Sequence, residues 1–420
     1  MTQMKNYLFF VFILVLFSCK NDDGDDTVDA CLAPTNIQAN AITTTSATIT
    51  WSDSNAADSY IIEYGISGFS IGSGTSIMAT ETSMTLVGLL PATTYDVYVQ
   101  VECSTNNVSS NSEVLNFTTE VPDVIAEFRP TLSELNLFSG DLSDLNITSK
   151  AFKYELSSQL FTDYAHKQRL IALPDGTSMA FDGDGLPIFP DNTVIAKTFY
   201  YNNDERDLSL GRTIIETRLL IKIDGEWETG DYKWNAAQTE ATLDLNESTV
   251  PITWIDTNGQ TNSIDYEVPS NTDCFTCHNS YGRLAPIGPK LRTMNFDING
   301  TNQLEQFISN AQLTGVSNSS GISRLPNWED TSLSLAERAR AYIDINCASC
   351  HIPGGDCFGE STLNLAYETS LEESLIAEQS ASIELRVTTN IDGVSMPIIG
   401  TTILHTEGVQ LIQDYLNSLE

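Results

Sequence analysis

The sequence predicts a multidomain chain: an all-β sandwich first, a β-rich middle domain next, and a mostly α-helical region last. Three observations carry that reading. Residues 31–120 alternate apolar and polar side chains between turn residues. Residues 121–270 repeat short apolar runs separated by Asp-Gly turns. Residues 271–420 hold two copies of a Cys-x-x-Cys-His pentapeptide, the second flanked by apolar residues at helical spacing. At 420 residues the chain exceeds one ordinary domain, and its 41% hydrophobic content suffices for real cores.

The first 30 residues predict export. Lys5 precedes an apolar run, Tyr7 to Phe17, too short to span a bilayer and suited to a signal-peptide core. It ends in Leu16-Phe17-Ser18-Cys19, which resembles the lipobox of bacterial lipoproteins. That resemblance implies a signal peptide over 1–18, cleavage before Cys19 and a lipid on its sulfur. The competing readings are an uncleaved anchor, or an ordinary signal peptide with an incidental cysteine. Residues 19–30 are an acidic tether without core-forming residues. Its Lys20-Asn21-Asp22-Asp23 resembles the surface-export signal of Bacteroidetes lipoproteins. The implied location is the outer membrane, on its periplasmic side or at the cell surface, with the lipid as sole anchor.

In residues 31–120, Ala47 to Trp51, Tyr60 to Tyr64 and Tyr95 to Val101 read as strands. Cys31 and Cys103 bracket them, and an oxidising compartment allows the two to pair. Trp51, Tyr60 to Tyr64, the run Leu89 to Tyr95 and Leu115-Asn116-Phe117-Thr118-Thr119 resemble a fibronectin type III domain. The resemblance makes Trp51 a core residue and Tyr95 a tyrosine corner. Such modules serve as spacers or adhesive platforms.

Between 121 and 270, strands are expected at Lys167–Leu173, Val194–Tyr201, Thr213–Ile223, Ala241–Leu245 and Ser263–Val268. Leu160 to Ala165, Phe189-Pro190, Lys197 to Tyr201, Ile215 to Leu220 and Tyr232 to Asn235, with the two pentapeptides, resemble a family of exported bacterial dihaem c-type cytochromes. Its members have a β-rich N-terminal half. The resemblance covers residues 125–420 and implies two haems and electron transfer, with no substrate.

The pentapeptides are Cys274-Phe275-Thr276-Cys277-His278 and Cys347-Ala348-Ser349-Cys350-His351. Two thiols three positions apart can each add to a haem vinyl group, and the adjacent histidine reaches the iron. Cys274, Cys277, Cys347 and Cys350 are therefore expected to bind two haem c groups, with His278 and His351 as iron ligands. A Cys₄ zinc knuckle is the competing reading, and it leaves both histidines unexplained. Cys357 is left over as a free thiol.

The first haem segment, 271–329, follows the β region without a preceding helix. Gly288-Pro289 resembles the cytochrome c loop whose backbone carbonyl accepts the proximal imidazole N–H. Where a cytochrome c has Met-Pro, this chain reads Leu325-Pro326, so the sixth ligand stays open between Met294, His166 and none. The second domain, 330–420, follows the class I cytochrome c order. A helix over Ser334–Ile345 delivers Cys347, and Met396-Pro397 follows 45 residues after His351. A closing helix, capped by Thr406, carries Val409, Ile412, Leu416 and Leu419. Met396 is the expected sixth ligand of the second iron. His405, its competitor, suits a surface or capping role.

The net charge of −36, from 20 basic and 56 acidic residues, excludes nucleic-acid binding, which needs Lys/Arg clusters. It suits a basic redox partner, or solubility in salty surroundings. Three function classes follow. The first is a membrane-anchored electron carrier with a redox partner protein. The others are a dihaem peroxidase using the methionine-free first haem, and a polysaccharide- or protein-binding lipoprotein with accessory haems. No catalytic residue is assigned.

Overall fold

In the computed structural model of the chain, residues 30–391 and 393–419 are described. The expected signal peptide, Cys19 and most of the tether lie outside them. Two compact units form, divided after Glu120.

The first unit holds β1 (Thr35–Asn40), β2 (Ser46–Ser52), β3 (Tyr60–Ile66), β4 (Thr75–Ala79), β5 (Ser83–Val87), β6 (Thr94–Ser104), β7 (Asn107–Val108) and β8 (Leu115–Thr118). One sheet runs β1-β2-β5, and the other runs β4-β3-β6-β7 with β8 also on β6. Alternation decides what is buried. Ala47, Ile49 and Trp51 from β2 face Tyr60 and Ile62 from β3 and Tyr95, Val97, Val99 and Val101 from β6. Trp51 is a core residue, as expected. The Tyr95 hydroxyl accepts from Leu90 N at 2.9 Å, which makes the corner. Cys31 and Cys103 are disulfide-bonded, with Cα atoms 5.9 Å apart.

The second unit is built on an antiparallel six-stranded sheet. Its strands are β9 (Ala151–Lys153), β10 (His166–Ala172), β12 (Val194–Asn202), β13 (Arg212–Ile223), β14 (Glu226–Trp234) and β15 (Ala241–Leu243). Their order is β15-β14-β13-β12-β10-β9. The short β11 (Met179–Ala180) pairs elsewhere, in parallel with Leu313–Thr314. A hairpin, β16 (Ser248–Ile255) and β17 (Thr261–Val268), completes the β structure. The five expected strands occur with ends shifted by one or two residues. β16 lacked a sequence signal because Pro251 interrupts it, and a proline is tolerated in this two-stranded ribbon.

One face of the large sheet buries Leu170, Ala172, Ala196, Leu219 and Ile221 against Leu132, Leu135 and Leu137. The opposite face presents Ile171 and Ile195 to Leu291, Met294, Leu304 and Phe307. These last four lie on α2 (Leu291–Met294) and α3 (Gln303–Ser309).

The first pentapeptide ends its own helix, α1 (Asn271–His278), which starts with a Ser270/Asp273 capping box. The second begins on the last residue of α4 (Leu335–Cys347), a helix opened by a Ser334/Glu337 capping box, and runs on into the following turn. Then come α5 (Phe358–Ser361), α6 (Leu371–Ser374), α7 (Ser380–Thr388) and α8 (Thr406–Asn417). Thr406 does not cap α8. It is the first helical residue, and His405 holds the cap position without a side-chain cap bond. α8 crosses α4 closely because Gly408 lies against the Tyr342 ring, where a Cβ would overlap it. A buried ion pair, Arg292 to Asp344 at 2.6 Å, ties α2 to α4. Asp344 also accepts from Tyr367 N at 2.9 Å.

Candidate cofactor site

Both pentapeptides open onto one cavity of about 520 Å³, within the ~300–1,000 Å³ range of cofactor sites. Cys274, Cys277 and His278 line it from α1, and Cys347, Cys350 and His351 from the last residue of α4 and the turn after it. Ile195, Leu220, Leu363 and Val387 contribute apolar wall. The pentapeptides touch, with Cys350 Sγ 3.8 Å from Thr276 O. The Cys350 thiol also lies beside that of Cys277, whose pKa this contact lowers against the effect of burial. Burial pushes the Cys347 thiol up to about 12. Cys357 is free and reaches the same wall. Among the described residues, no group of three or more His, Cys, Asp and Glu side chains gathers as a bare metal site.

Each pentapeptide histidine is held through one ring nitrogen. His278 Nδ1 lies 2.7 Å from the carbonyl of Ala285, so the N–H sits there and Nε2 keeps its lone pair. The acceptor thus lies before the Gly288-Pro289 stretch. His351 Nδ1 lies 2.8 Å from Ser361 Oγ. That hydroxyl donates to Cys357 O, so it accepts from the ring and again leaves Nε2 free. Burial pulls the His278 pKa down to about 4, against the Ala285 bond, and also lowers that of His351. Neutral imidazoles with one free nitrogen are what iron ligation needs. The thiols and imidazoles fit covalent attachment of a haem at each pentapeptide.

Met396 reaches the cavity on a loop fixed from two sides. Its N–H donates to Arg386 O at 2.9 Å, and Arg386 Nη1 donates to Val394 O at 3.1 Å. On the far side the buried Asp163 accepts from Thr402 N at 2.8 Å, Thr402 Oγ1 at 2.8 Å and Ile403 N at 3.3 Å.

The other candidates stand elsewhere. Met294 is fully buried in the apolar core and does not line the cavity. His166 is also off the wall, bonded to Glu205 at 2.7 Å and Asn202 at 3.2 Å. Leu325 is buried, its N–H donating to Arg292 O. His405 does line the cavity and is no surface residue. Its ring stacks on Phe161 at 4.1 Å, and Tyr342 Oη lies 2.9 Å from Nδ1.

Sequence reasoning passed over a row of charge beneath the first pentapeptide. Register sets Arg169 opposite Lys197, Lys197 opposite Arg218, and Arg218 opposite Asp231. Cross-strand partners share a sheet face, and like charges placed so repel. Arg218 bonds Glu216, with Nε to Oε2 at 2.8 Å, and Arg169 pairs with Glu155 at 3.2 Å. Asp231 is buried with neither carboxylate oxygen bonded, and burial beside Glu216 pushes its carboxyl well above the usual range. Lys197 lies on the cavity wall; burial, with Arg169 and Arg218 alongside, pulls its ammonium down to about 7. The signal for this row was strand register, which a single sequence does not display.

Comparison with known proteins identifies the first unit. The fibronectin type III family model matches residues 32–118. This segment is a fibronectin type III domain. Solved structures similar to part of this chain include a computationally redesigned β-sandwich protein, 27% identical, covering 21% of this chain and 94% of that one, TM-score 0.19. The FN5 domain of Drosophila Lar is 18% identical over 22% of this chain and 98% of that one, TM-score 0.19. Chicken CNTN1 FN1–FN3 is 17% identical over 21% and 31%, TM-score 0.20. Exoglucanase B of Cellulomonas fimi is 26% identical over 237 residues, 56% of this chain and 20% of that protein. The chain spans about a fifth of that relative's length.

Proposed function

We propose that this chain is an electron carrier of the cell envelope holding two covalently bound haem c groups. Cys274, Cys277 and His278 hold one, and Cys347, Cys350 and His351 the other, with Met396 as sixth ligand of the second iron. The carrying observation is that two pentapeptides 73 residues apart line one cavity. When bound, the haems supply one-electron chemistry at iron. The chain's part is to hold each imidazole by Nδ1, present Met396 on a doubly fixed loop and surround the site with apolar wall. A thioether ligand raises reduction potential, so the second haem is the electron sink of the pair.

In this reading a lipid on Cys19 anchors the protein to the outer membrane, and the fibronectin type III domain is a spacer. Its partner is a redox protein met through the strongly negative surface. The reading is tested by making the chain in a host with c-haem machinery and weighing it denatured. Two haem additions are expected, and one after joint Cys347→Ala and Cys350→Ala replacement. An unmodified parent overturns the proposal.

A further inference from the structure

We infer that Lys197 supplies the sixth ligand to the iron held by His278, an inference that rests on the haem reading above. Lys197 and Ile195 of β12 line the cavity with Arg218 and Leu220 of β13, and Cys274, Cys277 and His278 line the same cavity. Neither Met294 nor His166 reaches that wall. Among the described residues Lys197 Nζ has no hydrogen-bond or ion-pair partner, and lies 5.0 Å from the centroid of the Phe199 ring. Its cationic neighbours all have one: Arg169 with Glu155, Arg218 with Glu216, and Lys167 with the Leu160 carbonyl at 2.8 Å.

Lys197 is half-buried on the cavity wall and its ammonium has only an aromatic face beside it, so a nitrogen placed there gains from a ligating partner within the cavity. Two adjacent arginines make the charged form worse still and favour the free amine. An amine nitrogen with its lone pair is a donor that iron accepts, and ligands bind deprotonated. Asp231, the acid at the end of the row, is not placed to neutralise Lys197, because Arg218 stands between them in register. A second role for Lys197, as countercharge to a cofactor carboxylate, would need only positive charge. That difference makes the two roles separable.

The experiment uses the full-length holoprotein, its haem count fixed by denatured mass. The parent and Lys197→Ala, Lys197→Arg and Lys197→Met variants are reduced and titrated with carbon monoxide, and their ferric EPR spectra recorded. Arginine keeps the charge and does not ligate, because it stays protonated. The parent should bind no carbon monoxide at the first haem. The Ala and Arg variants should each bind one equivalent per protein and show one high-spin ferric haem. The Met variant should return to six-coordination at a raised potential. An Arg variant with the parent's spectrum and no carbon monoxide binding would overturn the inference in favour of a charge role. So would a parent that already binds one equivalent, or loss of one haem from both the Ala and Arg variants. A parent carrying no haem would overturn the haem reading itself, a result visible in the mass alone.

Discussion

Asp163 sits 239 residues before Thr402 and yet fixes the loop that carries Met396. Replacing it with alanine strips acceptors from Thr402 and Ile403, and each buried donor left unpaired costs about 1–3 kcal/mol. Asp163→Ala should weaken the near-infrared band of methionine-bound ferric haem, while Met396→Ala abolishes it and lowers one potential. A band unchanged in Met396→Ala would exclude this methionine as a ligand. His405 gives a pH signature. Burial pulls its pKa to about 4, outweighing the pull of Glu407. The unfolded chain takes up this proton near pH 6.5. The stability His405 contributes is therefore complete above pH 6.5 and is lost as pH falls toward 4. Melting midpoints of His405→Gln should fall less steeply over that window than those of the parent. Neither role was legible in sequence. Asp163 acts on a distant loop, and a histidine beside a helix start gives no sign of the Phe161 ring stacked on it.

Elements with a strong local period were the ones sequence reported well. β2, β6 and α4 alternate or repeat cleanly, and their ends fall close to expectation. β16 did not, because Pro251 breaks its pattern. The contacts between elements were silent for a different reason: they depend on residues common in any loop or helix. Gly408 is such a case, since Gly408→Ala forces α8 away from Tyr342. The Arg292–Asp344 pair is another. Removing one partner of a buried ion pair costs about 3–5 kcal/mol. Asp344→Ala should therefore lower the denaturation midpoint of the second unit while the fibronectin type III domain keeps its own. The Cys31–Cys103 bridge acts in the opposite place. Its reduction should remove roughly 4 kcal/mol from the first unit alone, by the loop-entropy relation. Peptide mapping under non-reducing conditions should recover the linked pair.

At the scale of the molecule, the cavity is a structural quantity as well as a chemical one. It measures about 520 Å³, and its wall mixes apolar side chains such as Ile195, Leu220, Leu363 and Val387 with charged ones such as Lys197 and Arg218. The sheet, α1 and the segment after α4 line a space that side chains do not fill, and in the proposed reading the haems would complete the core there. A chain with Cys274, Cys277, Cys347 and Cys350 all replaced by serine should be cut rapidly by protease throughout residues 121–420. A fragment of residues 30–120 should survive, because that unit closes its own core. The consequence concerns supply rather than chemistry. If the chain is the haem carrier proposed above, iron starvation would leave the cell not with an inactive carrier but with a degradable one, and the amount of this protein would itself report haem availability.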